Sequence, residues 1–281
     1  MGASMIPWTR LKPSQTQPPA PKTGHAHERC YAAALTDCST KISREHYISK
    51  GLLGLMGGTV DVAGLSFQQP DTLRGLPEKS LTAKALCERH NHALAPLDAE
   101  VARLYEALRD FDAGLRDSAS WVSEERVVNG ADIERWMLKA LAGLTHGKLL
   151  TSTKLRVDSG WLHILFGGRW PTGWGLYLRI DSAPAHAFGG LEITTLTHGD
   201  AVWGGIFNIG GLTLELALGR PGTDEPLVHR PAGVQLSRSD ASETKHLTFG
   251  WPQPPPADYV SFTRRGEYAG DRPQDVHLRR V

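Results

Sequence analysis

The residues of this chain best equipped for chemistry are Cys30, Cys38, the run from Ser43 to His46 that contains Glu45, and the run Cys87-Glu88-Arg89-His90-Asn91. On a helix, Cys87 and His90 stand at i and i+3 on one face, so a thiolate and an imidazole can reach the same tetrahedral zinc ion. Cys30 and Cys38 can supply two more thiolates, which completes a Cys3His centre. Asn91 follows His90 directly, so a metal that fixes the helix also fixes its amide at about 100° around the axis. Glu45 and His46 lie between the two halves of this ligand set, where a hairpin returns toward the helix. A carboxylate, an amide oxygen and an imidazole converging there suit a second, harder cation such as Mg2+.

A cysteine pair, then an acidic residue followed by His, then Cys-x2-His-Asn on a helix resembles the HNH or His-Me finger nucleases. The likeness is to the treble-clef branch that includes phage endonuclease VII-type junction resolvases, and it covers roughly residues 25 to 110. It implies a zinc-bound ββα module in which His46 is the general base and Glu45 and the Asn91 carbonyl hold one catalytic Mg2+. The cation would screen charge developing on the leaving 3′ oxygen, and an imidazole titrating near neutrality suits the base. The activity so implied is metal-dependent hydrolysis of DNA, or of RNA. The alternative is a zinc-stabilised protein that binds nucleic acid or senses a partner without catalysis.

The chain departs from that pattern in three ways, and strand geometry sets a further condition. Seven residues separate Cys30 from Cys38 where the group has a tight Cys-x2-Cys knuckle, which makes His27 an alternative ligand to Cys38. Glu45 stands where Asp is commoner. Forty residues lie between His46 and Cys87, implying an insertion around Gly57 to Lys79. Adjacent residues on a regular strand face opposite ways, so Glu45 and His46 converge only at a strand end or a bulge.

The elements that must position these residues belong to an expected α+β protein. A tail over 1–24, rich in proline, is expected to be disordered; residues 25–147 form the finger with its helices, 148–262 an antiparallel β domain, and 263–281 a second tail. Val60 and Val62 mark a strand. A helix is expected to begin near Lys84 or Cys87, with Pro96 breaking it or opening the next. In the next helix Val101, Leu104, Tyr105, Leu108 and Phe111 share one face behind an Asp98 N-cap. Another helix runs from about Asp132 to Leu144. It carries an unusual Glu134-Arg135-Trp136-x2-Lys139 cluster, with Trp136 in the core and Glu134 and Arg135 bonding to the sheet domain. Six strands are expected at 154–158, 161–166, 174–180, 191–199, 203–211 and 212–218, divided by glycine pairs.

Composition sets outer limits. Thirty-one Lys and Arg against thirty Asp and Glu give a net charge of +1, so a polyanion partner would need a local patch. Arg29, Lys41, Arg44, Lys50, Lys84 and Arg89 could line such a phosphate groove. Three cysteines cannot build a disulfide framework and fit a reducing, cytoplasmic compartment. No run of eighteen apolar residues offers a membrane span, and oligomeric state is not readable.

Overall fold

A computed structural model describes residues 9–57, 59–62, 74–116, 122–147, 149, 156–180, 191–198, 200–219, 226–238, 242–264 and 275–278. In chain order the elements are β1 (Ile42–His46), α1 (Lys50–Leu55), β2 (Thr59–Val62), β3 (Arg74–Pro77), β4 (Thr82–Cys87), α2 (Glu88–Arg116), β5 (Glu124–Asn129), α3 (Gly130–His146) and α4 (Ser159–Leu165). There follow β6 (Gly175–Arg179), β7 (Leu191–His198), β8 (Ala201–Ile209), β9 (Leu212–Ala217), β10 (Leu227–His229), β11 (Pro231–Arg238), β12 (Thr244–Gly250), β13 (Ala257–Arg264) and β14 (Asp275–Leu278). Single 3-10 turns lie at Ala33–Leu35 and Glu78–Leu81.

The protein is mixed α+β. Antiparallel β1 and β4 form a small sheet that runs directly into α2, and β2 pairs with β3 inside the intervening insertion. One five-stranded sheet, β10-β6-β9-β8-β7, is wholly antiparallel. The other, β14-β13-β11-β12-β5, is mixed, with β11 parallel to β13 and β12 parallel to β5, where an antiparallel arrangement was expected.

Helix α3 packs against α2, α4 and strands of both five-stranded sheets, and every residue from Gly130 to Thr145 is buried. The apolar core is continuous from Cys30 to Phe262. Strand β5, from the first half of the chain, forms the edge of a sheet made otherwise from the second half, so the core crosses the boundary expected near residue 147.

Several local expectations change in the structure. The 161–166 run is helix α4, capped by Asp158, whose carboxylate accepts the Gly160 N–H at 2.6 Å. A short apolar run cannot tell a buried helix from a strand by period alone, and the Asp cap decides. Of the strand expected at 154–158, residues 156–158 are irregular and the others lie outside the described residues. Helix α2 continues through Pro96. The backbone bond lost there would have reached the carbonyl of His92, and both residues are exposed, so water can take it. Asp98 is therefore inside a helix, not an N-cap. Strands β10 to β14 lie where no strand was expected, β14 within the segment expected as a second tail.

Residues 9–24, expected as disordered tail, run extended along the fold. Ser14 donates from backbone and hydroxyl to Asp132 at 2.9 and 2.6 Å, the Asn129 amide donates to the Lys12 carbonyl at 2.8 Å, and Leu11 and Thr9 pair with the Trp251 backbone. Asp132 and Asn129 belong to the start of α3, which explains why a proline-rich segment with few apolar residues has a fixed path.

The expected link from α3 to the sheets is also specific. Glu134, 1% exposed, accepts from the Leu176 N–H at 2.8 Å and from Arg230 at 2.8 and 3.1 Å. Removing one member of a buried charge pair strands the other. Glu134→Ala should therefore cost about 3 kcal/mol, measured by urea unfolding; a loss under about 1 kcal/mol, the range of an exposed pair, would contradict this role.

Candidate metal centre

Four short segments deliver the metal-ligand set. Cys30 precedes the first 3-10 turn, tied to the hairpin by the Tyr31 N–H, which donates to the Ala85 carbonyl at 2.9 Å. Cys38 follows that turn and donates its N–H to the His25 carbonyl at 2.8 Å. Cys87 ends β4 and His90 lies in the first turn of α2. The sheet register brings Ile42 opposite Cys87, so the ligands gather at the β1-start, β4-end edge of the hairpin.

The four candidate ligand atoms lie within 4.8 Å of one another, and all four residues are buried. His90 Nδ1 is 3.1, 3.6 and 3.8 Å from the sulfurs of Cys87, Cys30 and Cys38. These spacings are close to the edges, about 3.6 Å, of a tetrahedron with ordinary zinc–sulfur and zinc–nitrogen bonds. The group could hold a metal ion such as zinc, and its burial leaves no open coordination position for a substrate, as in structural centres.

Ordinary electrostatics of this pocket favours a metal. Burial pushes the Cys30 and Cys38 thiols up and charge on Cys87 raises both further, so ionising all three sulfurs together calls for a cation. Burial also opposes ionisation of Cys87, but N–H groups of His90 and Ser39 and the Ser39 hydroxyl hold its pKa below the ordinary value. A helix N-terminus has this effect on a thiol. Burial takes His90 down to about 4, which leaves a neutral imidazole at pH 7, the form that ligates.

His27 stays outside this group. Its Nδ1 receives the Arg29 N–H at 3.2 Å, while Cys38 completes the set despite the long spacing from Cys30. The 3-10 turn at 33–35 takes up those extra residues.

The second set of residues is arranged differently from the expected trio. Between Ser43 and Glu45 the pairing with β4 shifts from Leu86 to Ala83, so the extra residue of the irregularity belongs to β4. Glu45 consequently faces inward at 3% exposure, and His46 is half-buried at the strand end. The Glu45 carboxylate lies 2.7 Å from the Lys139 ammonium, which also donates to Asp98 at 2.6 Å. Burial works against the Lys139 charge, yet Asp98 and Glu45 hold its pKa above the ordinary value. Burial lifts the Glu45 carboxyl despite Lys139. Asn91 is half-buried in the first turn of α2, next to His90.

Thus the structure joins Cys30, Cys38, Cys87 and His90, and it groups Glu45 with Lys139 and Asp98. Tyr31, 8% exposed, lies between the two groups, its phenol pushed up by burial and by the charges of Glu45, Cys30 and Asp98. The Lys139 contact was partly signalled by the odd ERW-x2-K cluster, but its partner on β1 was not. Among the basic residues, Arg29, Lys41, Arg44, Lys50 and Lys84 are exposed. Arg89 instead pairs with Asp37 at 3.0 Å and donates to the carbonyls of Pro19 and Pro21.

Among the described residues no helix is long and apolar enough to cross a membrane. The chain matches no protein-family model, no curated protein and no solved structure.

Purified protein should contain about one equivalent of zinc, as one closed four-ligand centre requires. Metal analysis of Cys38→Ser and Cys87→Ser should show that zinc lost, and His27→Ala should retain it. Full zinc in Cys38→Ser with loss in His27→Ala would reverse the ligand assignment.

Proposed function

We propose that the protein is a zinc-stapled finger of the HNH kind that binds nucleic acid through its basic rim and has no hydrolytic centre built on Glu45. The observation that carries this reading is the ion pair between Glu45 and Lys139, both 3% exposed. In the resemblance, the acid before the conserved-type histidine holds a hydrated Mg2+. Here a tethered ammonium lies against that acid. Mg2+ keeps several waters and gives them up reluctantly, whereas Glu45 is buried. Displacing Lys139 would also take one of two carboxylates from a buried ammonium, leaving it Asp98 alone.

Binding has its own support. Arg44 in β1 lies across from the irregularity at Lys84 in β4, and both are exposed. Lys41 and Lys50 extend this cationic surface to either side in sequence. Four such charges support weak, strongly salt-dependent contact with phosphates, with a slope of about −3 to −4 in log affinity against log salt.

A second reading, DNA hydrolysis with His46 as base and Mg2+ on Glu45 and Asn91, is favoured by one specific observation. His46 is half-buried at the end of β1, and Asn91 directly follows a ligand in the first turn of α2. Catalysis by that route requires Lys139 to leave Glu45.

Two assays separate the readings. Fluorescence anisotropy with duplex DNA should show salt-sensitive binding that Arg44→Glu with Lys84→Glu weakens by about tenfold or more, since two phosphate contacts are reversed. Plasmid incubated with Mg2+ should remain supercoiled with both the wild type and His46→Ala. Nicking by the wild type that His46→Ala abolishes would overturn the non-catalytic reading and establish the second.

A further inference from the structure

A cavity of about 370 Å³ lies beside the metal centre, between the N-terminal segment and α4. Its wall includes Gln17, Lys22, Asp37, His90, His163 and Phe166. His90 is completely buried, and its ring packs against Phe166 with centroids 4.8 Å apart. Because Nδ1 faces the three sulfurs, Nε2 lies on the side of the ring away from them, and it has no hydrogen-bond partner among the described residues.

A metal on Nδ1 leaves the ring proton on Nε2, which makes that nitrogen a fixed donor. Metal-ligating histidines ordinarily give this N–H to an acceptor, and a buried donor left unmet costs about 1–3 kcal/mol. Asp37 borders the cavity, but its oxygens already accept from the Thr23 N–H at 2.9 Å and from Arg89 at 3.0 and 3.3 Å. The other polar side chains of the wall are the Gln17 amide, the Lys22 ammonium and the His163 imidazole. The negative end of α4 is also masked. Arg135 donates to the carbonyls of Ile164 at 3.2 Å and Gly168 at 3.3 Å.

The cavity therefore offers donors and a cation with no free carboxylate among its described wall residues, beside an imidazole N–H that needs an acceptor. We infer that it is a phosphate-binding site, with His90 Nε2–H donating from the inner wall and Lys22 and His163 holding the anion from the outer wall. Its volume falls at the small end of ligand pockets, enough for a phosphate carrying a sugar-sized group. Phosphate suits such a place because it accepts several charge-assisted bonds at once. This inference does not depend on whether Glu45 can bind Mg2+.

The test is isothermal titration of the zinc-loaded full chain with inorganic phosphate, a 5′-mononucleotide, and one oligonucleotide with and without a 5′-phosphate. Lys22→Ala combined with His163→Ala changes two exposed side chains, and retained zinc content and melting temperature verify the fold. The phosphate-bearing probes should bind the wild type and lose about tenfold in affinity in the double variant, as expected for losing charge-assisted bonds. A His90 Nε2–H proton resonance should shift on adding inorganic phosphate. Tighter binding of the 5′-phosphorylated strand than of its unphosphorylated form identifies a nucleic-acid end as the ligand, while binding confined to phosphate and mononucleotide identifies a free phosphate compound. No binding of any phosphate probe at millimolar concentration, or equal affinity in the double variant, would overturn the site.

Discussion

Helix α3 is buried on every side, yet it carries Asp132, Glu134, Arg135 and Lys139. A helix in that position is normally apolar all round, and each exception must find a partner or cost several kcal/mol. Their partners are spread along the chain. Asp132 takes Ser14, Glu134 takes Arg230 and Leu176, Arg135 takes the end of α4, and Lys139 takes Glu45 and Asp98. The need to satisfy those charges orders the N-terminal segment, β6, α4 and the β1–β4 hairpin around a single helix. Buried charge of this kind contributes modest net stability, but breaking any pair is expensive, so it penalises alternative arrangements.

The β1–β4 hairpin is consequently flanked by a group that could hold a metal cation and by a lysine ammonium. A metal at the Cys3His group would join the segment before β1 to the β4–α2 junction, displacing the protons that burial favours on Cys30 and Cys38 and balancing the thiolate charge. At the other end of the same hairpin a lysine from α3 does comparable work for Glu45 and Asp98. The two are linked through Tyr31, which contributes a backbone bond to β4 and lies close to both sets of charges. The arrangement gives Glu45 a place in the fold through its ion pair with Lys139.

The grouping of Cys30, Cys38, Cys87 and His90 was legible because short spacing and thiol chemistry are local properties of the sequence, although Cys87 ends β4 and only His90 lies on α2. Helix α3 and the strands β6 to β9 were legible for the same reason, through periodicity and glycine punctuation. What could not be read was set by distant partners. The Glu45 environment depends on a residue 94 positions later, the parallel pairing of β5 with β12 spans more than a hundred residues, and α4 is distinguished from a strand by one Asp cap. Pro96 misled because its cost depends on whether the freed carbonyl meets water, a property of the fold and not of the dipeptide.

The Cys3His group beside the β1–β4 hairpin would make a closed, sulfur-rich metal centre. X-ray absorption at the zinc edge of the purified protein tests this most directly. Three sulfurs at about 2.3 Å and one nitrogen at about 2.0 Å are predicted for Cys30, Cys38, Cys87 and His90. A shell dominated by oxygen and nitrogen, or a protein that stays folded and metal-free in excess zinc, would contradict it.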